Sequence, residues 1–140
     1  MAFPLSCIVH FKFPAQTTLG PFDLFWYDGG MKPVNPEELS SEDRALDREG
    51  LMFVGDKGKI IGDFRGEKPV LYTGNKKIEP EEKISDSEHQ YRSEEWIDAF
   101  KNNSQSPGSF IYAGTVTETI LLGGVALRAG KKVDYDSAAM

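Results

Sequence analysis

The sequence predicts an α+β fold: a mainly antiparallel, open β-sheet with two helices packed on one face. Three observations predict it. Apolar residues alternate with period two early in the chain, at Ser6 to Phe13. Two apolar runs in the middle flank a short Gly-Asp-Lys-Gly segment, the pattern of a hairpin. Helical spacing is confined to two neighbouring stretches in the last third.

In chain order, the first strand reads S-C-I-V-H-F-K-F, with Val9, Phe11 and Phe13 on one face and Ile8, His10 and Lys12 on the other. It starts with no lead-in, as a domain taken from a longer chain would. Pro14 ends it. Phe22 to Asp28 is a second, aromatic-rich strand, and Asp28-Gly29-Gly30 turns the chain. Met31 to Gly50 reads as an exposed loop with a short helical turn at Pro36 to Leu39. Leu51 to Val54 and Lys59 to Phe64 form the hairpin, and Val70 to Thr73 the next strand. Gly74 to Asp86 is charged and solvated. Ser87-Glu88-His89-Gln90 matches a capping box and predicts a helix to Asn102 with the stripe Ser93, Trp96, Ile97, Phe100. A second helix runs from Tyr112 to Ala129 and stops at Gly130. It is apolar on nearly all sides, which predicts burial. Gly123 and Gly124 inside it cost roughly 1 kcal/mol each against Ala, so a close approach to the sheet is expected there. Val133 to Asp136 is read as a last strand.

The 140 residues suit one domain. A net charge of −6 argues against nucleic acid, which needs a basic face. The single cysteine, Cys7, excludes an internal disulfide, and one Cys with two His nearly excludes structural zinc. No membrane span is expected: Ile120 to Ala129 is interrupted by Gly123, Gly124 and Arg128 and is too short. No basic segment precedes the first apolar run, so no signal peptide is read. The compartment stays open between cytoplasm and periplasm.

No G-x-G-x-x-G follows a strand, and there is no Walker loop. The chain is therefore expected to bind no NAD by itself. Cys7 and His10 are three apart on a strand and point to opposite faces, which disfavours a nucleophile pair. His89 reads as a capping-region residue, and Glu79, Glu81 and Glu82 as a solvated face. Trp26-Tyr27-Asp28-Gly29-Gly30 has two readings: a strand end whose Asp28 bonds its own turn, or an aromatic wall with a carboxylate, suited to a sugar ring. Ser109 to Gly114 is either a helix start or a segment that turns Ser109 or Tyr112 to a cleft. The candidate substrate-binding residues are Trp26, Tyr27, Asp28 and Tyr112; no catalytic, cofactor-binding or metal-binding residue is assigned.

The series V-H-F-K-F-P-A (Val9 to Ala15), W-Y-D-G-G-M-K-P (Trp26 to Pro33), P-E-E-L (Pro36 to Leu39), F-V-G-D-K-G-K (Phe53 to Lys59), E-W-I-D-A-F-K (Glu95 to Lys101), Y-A-G-T-V-T-E (Tyr112 to Glu118) and L-L-G-G-V-A-L-R-A-G-K-K (Leu121 to Lys132) resembles the C-terminal domain of Gfo/Idh/MocA oxidoreductases, in the branch common in Bacteroidetes and Planctomycetes. The resemblance implies a parent protein whose N-terminal Rossmann domain binds NAD or NADP. It implies that the present chain shapes the site for a sugar, inositol or related polyol, and that its sheet face packs against another subunit. The Rossmann domain, its Glu-Lys-Pro motif and the family's Asp/His pair have no counterpart here. Asp86 and His89 stand elsewhere and inherit no role. Two other functions compete: a free-standing binding or assembly module of the same fold, and a hydrolase with paired carboxylates, which the crowding of carboxylates in charged loops disfavours. Self-association through the sheet face, rather than through the helices, is expected from the apolar residues on both sides of the second strand.

Overall fold

In the computed structural model, residues 3–66, 68–74, 76–79, 93–106 and 108–136 are described. The fold is α+β with antiparallel strands throughout. The strands form two sheets, β1–β2 with two strands and β3–β4–β5–β6 with four. The chain divides into two compact units: Met1–Met31 with Tyr91–Met140, and Lys32–Gln90.

In the first unit, β1 (Cys7–Phe13) pairs with β2 (Phe22–Asp28), with Cys7 opposite Asp28 and Phe13 opposite Phe22. The register follows the pleat. Val9, Phe11 and Phe13 of β1 are half-buried, while Ile8, His10 and Lys12 between them are exposed. The covered side lies against the long helix α3 (Phe110–Ala129). A Cβ on Gly123 would sit 3.0 Å from Phe11 Cζ and 3.3 Å from Val9 Cγ1. The missing side chain is therefore what lets the helix come this near the strand. Gly124 has no such neighbour within 4 Å; only one of the paired glycines makes the expected approach.

The helix α3 begins at Phe110, earlier than the periodicity suggested, behind Ser109 as N-cap in an extended conformation. It ends where expected: Gly130 is left-handed (φ 63°) and donates its N–H to the Ala126 carbonyl. Its predicted burial does not hold. Of its residues only Gly123 is buried, while Phe110, Ile111, Val116, Ile120, Leu121 and Val125 are exposed. An all-round apolar helix with one face on a two-stranded ribbon has too little surface to hide in. At 20 residues it is also long and apolar enough to cross a membrane, by length and composition alone. Counting only from Ile120 understated it. The helix α2 (Ser93–Lys101) leaves its stripe open as well: Trp96, Ile97 and Phe100 are exposed, and Ala99 is buried. The capping box expected before α2 lies outside the described residues. Residues 131–136 form no strand. Instead Tyr135 returns to α3, and its hydroxyl donates to Glu118 Oε1.

In the second unit, α1 (Glu37–Ser41) follows Pro36. β3 (Leu51–Gly55) and β4 (Gly58–Gly62) form the expected hairpin with Asp56 and Lys57 at its tip. β5 (Val70–Thr73) pairs with β4, and β6 (Lys76–Ile78) with β5. The strand β6 stands in a stretch read as solvated loop. Its three residues are all exposed, so backbone pairing along the edge of β5 is its structural content. The stretch after β2 is better ordered than its composition implied. Asn35 Nδ2 donates to Ser40 Oγ (2.8 Å) and to the Arg44 carbonyl (2.9 Å), and its Oδ1 accepts from the Leu46 N–H (3.0 Å). The most buried large side chains among the described residues, Leu39 at 3% exposure and Tyr72 at 5%, are both in this unit.

Candidate functional site

The strand β2 carries three of the four candidate residues, and its pleat separates them. Trp26 lies opposite Val9 and Asp28 opposite Cys7, on the side that α3 covers. Tyr27 lies opposite Ile8, on the uncovered side, together with Phe25 and His10. The aromatic wall is thus two half-walls on opposite faces. Tyr112 belongs to α3 and is exposed. It sits eleven residues before Gly123, the point where the helix meets β1. Three helical turns, about 16 Å of rise, separate that point from Tyr112. The C-terminal part of α3 runs beside Ile8 and Val9, so Trp26 and Asp28 share the ribbon end nearest that part, and Tyr112 does not join them. All of Trp26, Asp28 and Tyr112 are solvent-exposed.

An apolar groove of about 260 Å³ lies between β1 and α3, lined by Ile8, Val9, Gly123, Ala126, Leu127 and Gly130. Small residues at Gly123, Ala126 and Gly130 leave this space open. The sequence marks Gly123 for a close approach to the sheet and Gly130 as the helix stop, but does not predict that together with Ala126 they line a groove. None of the four candidate residues lines the groove.

The open face of β1–β2 holds a polar arrangement that sequence reasoning missed. His10 Nε2 lies 2.6 Å from Asp23 Oδ1, and the His10 ring stacks on Phe25 at 4.2 Å between centroids, nearly parallel. Phe25 in turn stands 6.4 Å from Tyr27. His10, Phe25 and Tyr27 form a shallow aromatic platform with one carboxylate at its rim. Cross-strand pairing could have revealed it, because His10 is opposite Phe25 and Asp23 lies two places along on the same face of β2.

In the second unit, a polar cleft of about 490 Å³ lies over α1, β5 and β6, with Glu37, Glu38, Glu42, Lys76, Lys77 and Tyr72 in its walls. Lys59 Nζ reaches both oxygens of Glu38 at 2.7 Å. This hydrogen-bonded ammonium holds the Glu38 carboxyl below the usual carboxylate range. Lys77 pairs with Glu79 at 3.1 Å and Glu42 at 3.5 Å, and these carboxylates raise its pKa. A depressed carboxyl stabilises the folded state above its unfolded pKa, and that contribution is lost as pH falls through the folded value. Replacing Lys59 by Met is therefore expected to lower the thermal midpoint at pH 7. The difference from wild type should shrink below about pH 4. Melting curves across pH 3 to 7 check this, and a constant difference would contradict it.

Nothing among the described residues fits a dinucleotide. The strand β2 is followed by Gly29 and Gly30, but the next helix is the five-residue α1, which opens on Glu37 and Glu38. Two carboxylates at a helix N-terminus repel the phosphates that such a turn would have to cradle. No group of three or more His, Cys, Asp or Glu side chains suited to a metal occurs among the described residues. No family model, no curated protein and no solved structure matches the chain.

Proposed function

We propose that the chain is the substrate-side and oligomerisation domain of an NAD(P)-dependent oxidoreductase acting on a sugar, inositol or related polyol, with the nicotinamide held by a separate Rossmann domain of the same parent protein. The observation that carries this reading is apolar surface without a cover. Trp96 and Phe100 on α2 are 66% and 83% exposed, and α3 exposes Ile111, Val116, Ile120, Leu121 and Val125. Contiguous faces of this kind mark contacts with further protein. The motif series from Val9 to Lys132 supports the kind of protein that supplies them. On the face of β2 opposite Phe25 and Tyr27, the Trp26–Asp28 strand end offers a ring-stacking surface beside a carboxylate, the chemistry a polyol requires. The alternative is a free-standing binding or assembly module of the same fold, which the same exposed apolar surface on α2 and α3 would also serve.

Calorimetric titration of the chain with NAD(H) and NADP(H) tests the division of labour. The expected result is no saturable heat, and no turnover of any sugar or polyol with cofactor added. A tight nicotinamide complex, or turnover that survives repurification and disappears with Asp28→Asn, would overturn it. The reading frame immediately upstream of the coding sequence separates the two readings: an in-frame Rossmann domain supports the first, and an unrelated gene the second.

A further inference from the structure

The face of α3 that meets β1 is fixed by Gly123. On the opposite side stand Gly114, Glu118, Leu121, Val125 and Arg128, at steps of four, three, four and three. That is the spacing of a helix–helix seam. Leu121 is 63% and Val125 51% exposed. A Cβ on Gly114 would meet nothing within 4 Å, so no described residue occupies the seam there.

We infer that this seam pairs, antiparallel, with the same seam of a second copy of the chain. The charges select that occupant. Glu118 and Arg128 are the ionisable residues of the seam, about 15 Å apart along the helix and equidistant from the level of Gly123. A two-fold axis at that level sets Glu118 against Arg128 of the second copy, and Leu121 against Val125 of the second copy, each contact occurring twice. A parallel pair would oppose Glu118 to Glu118 and Arg128 to Arg128. A lipid bilayer is a poorer occupant, because Glu118 lies near the middle of the helix, where a charge is costly. Tyr135 engages one oxygen of Glu118 and holds the carboxylate in place, while the other oxygen can still accept from Arg128 of the second copy. This interface shares no residue with the uncovered face of β1–β2.

Sedimentation equilibrium on the 140-residue chain tests it with Arg128→Glu, Glu118→Arg and the double exchange. Each single variant sets like charges together twice and should weaken the α3 contact by about tenfold or more; the double exchange should restore it. Arg128→Glu leaves the Tyr135 contact untouched, which separates lost pairing from lost folding. Phe25→Ser with Tyr27→Ser removes the sheet-face contact alone and should leave the charge-dependent association intact. Association indifferent to both single exchanges, a double exchange that fails to restore it, or a monomer that floats with phosphatidylcholine vesicles would each overturn the inference.

Discussion

Gly29→Val is expected to unfold the first unit. Gly29 has φ +64°, and a Cβ there would lie 2.0 Å from the Leu5 carbonyl oxygen and 2.5 Å from Ser6 Cα. Both obstacles are backbone and cannot swing aside. The turn itself is closed by the Met31 N–H on the Asp28 carbonyl at 3.3 Å, so relief must come from separating β1 from β2. The left-handed conformation alone costs a side-chain-bearing residue about 1–2 kcal/mol. The clash raises the total to about 3 kcal/mol or more, the range reserved for backbone violations. Gly30 is the control. Its φ is +86°, but a Cβ there meets nothing within 4 Å, so Gly30→Ala should show only the conformational cost. Urea unfolding followed by Trp26 and Trp96 fluorescence measures both. Equal midpoints for the two variants would show that the Leu5 contact carries no weight.

Tyr72→Ala is the second large effect, placed in the other unit. Tyr72 occupies the inner strand β5, paired on one side with Lys59 and on the other with Lys77, and is 5% exposed. Deleting a buried aromatic side chain removes its transfer free energy and leaves a cavity, about 3–5 kcal/mol for Phe or Trp. A value near the lower figure is expected, because the polar cleft beside Tyr72 lets water enter. Phe100→Ala, at an 83% exposed position, should change stability by no more than about 0.5 kcal/mol. Amide exchange resolves the two units: Tyr72→Ala should accelerate exchange in β4 and β5 and leave β1 and β2 unchanged. Uniform acceleration through both sheets would show that they unfold as one.

What the sequence discloses tracks how local the physics is. The alternation in Ser6 to Phe13 places Val9 and Phe11 on the covered side of β1, as found, because one strand's pleat depends only on itself. Gly58 sits in the hairpin where a Cβ would lie 2.2 Å from the Tyr72 carbonyl oxygen, and Gly130 ends a helix in a left-handed conformation that few other residues adopt. The strand β6 is illegible for the converse reason: Lys76 and Lys77 have no apolar pattern, and their pairing is dictated by the open edge of β5. The exposure of α3 could not be read either. All-round hydrophobicity announces that a helix wants cover, not where the cover lies. The candidate site shares this limit. Alternation already sets Trp26 and Tyr27 on opposite faces. Tyr112 stands eleven residues before Gly123 and twelve before Gly124, so it lies about 16–18 Å along the helix from the contact with β1 whichever glycine makes it. The direction in which α3 crosses the strands is a matter of tertiary packing that no local pattern carries.

The division of the chain has a consequence for how it can be broken. The first unit is made of Met1–Met31 and Tyr91–Met140, and the second, Lys32–Gln90, is inserted between them. A single proteolytic nick in the insert leaves β1 and β2 on one fragment and α3 on another. From then on the contact of Gly123 with Phe11 is bimolecular. The nicked first unit would behave as a heterodimer whose melting temperature rises with its own concentration, whereas the intact chain's would owe that dependence only to self-association.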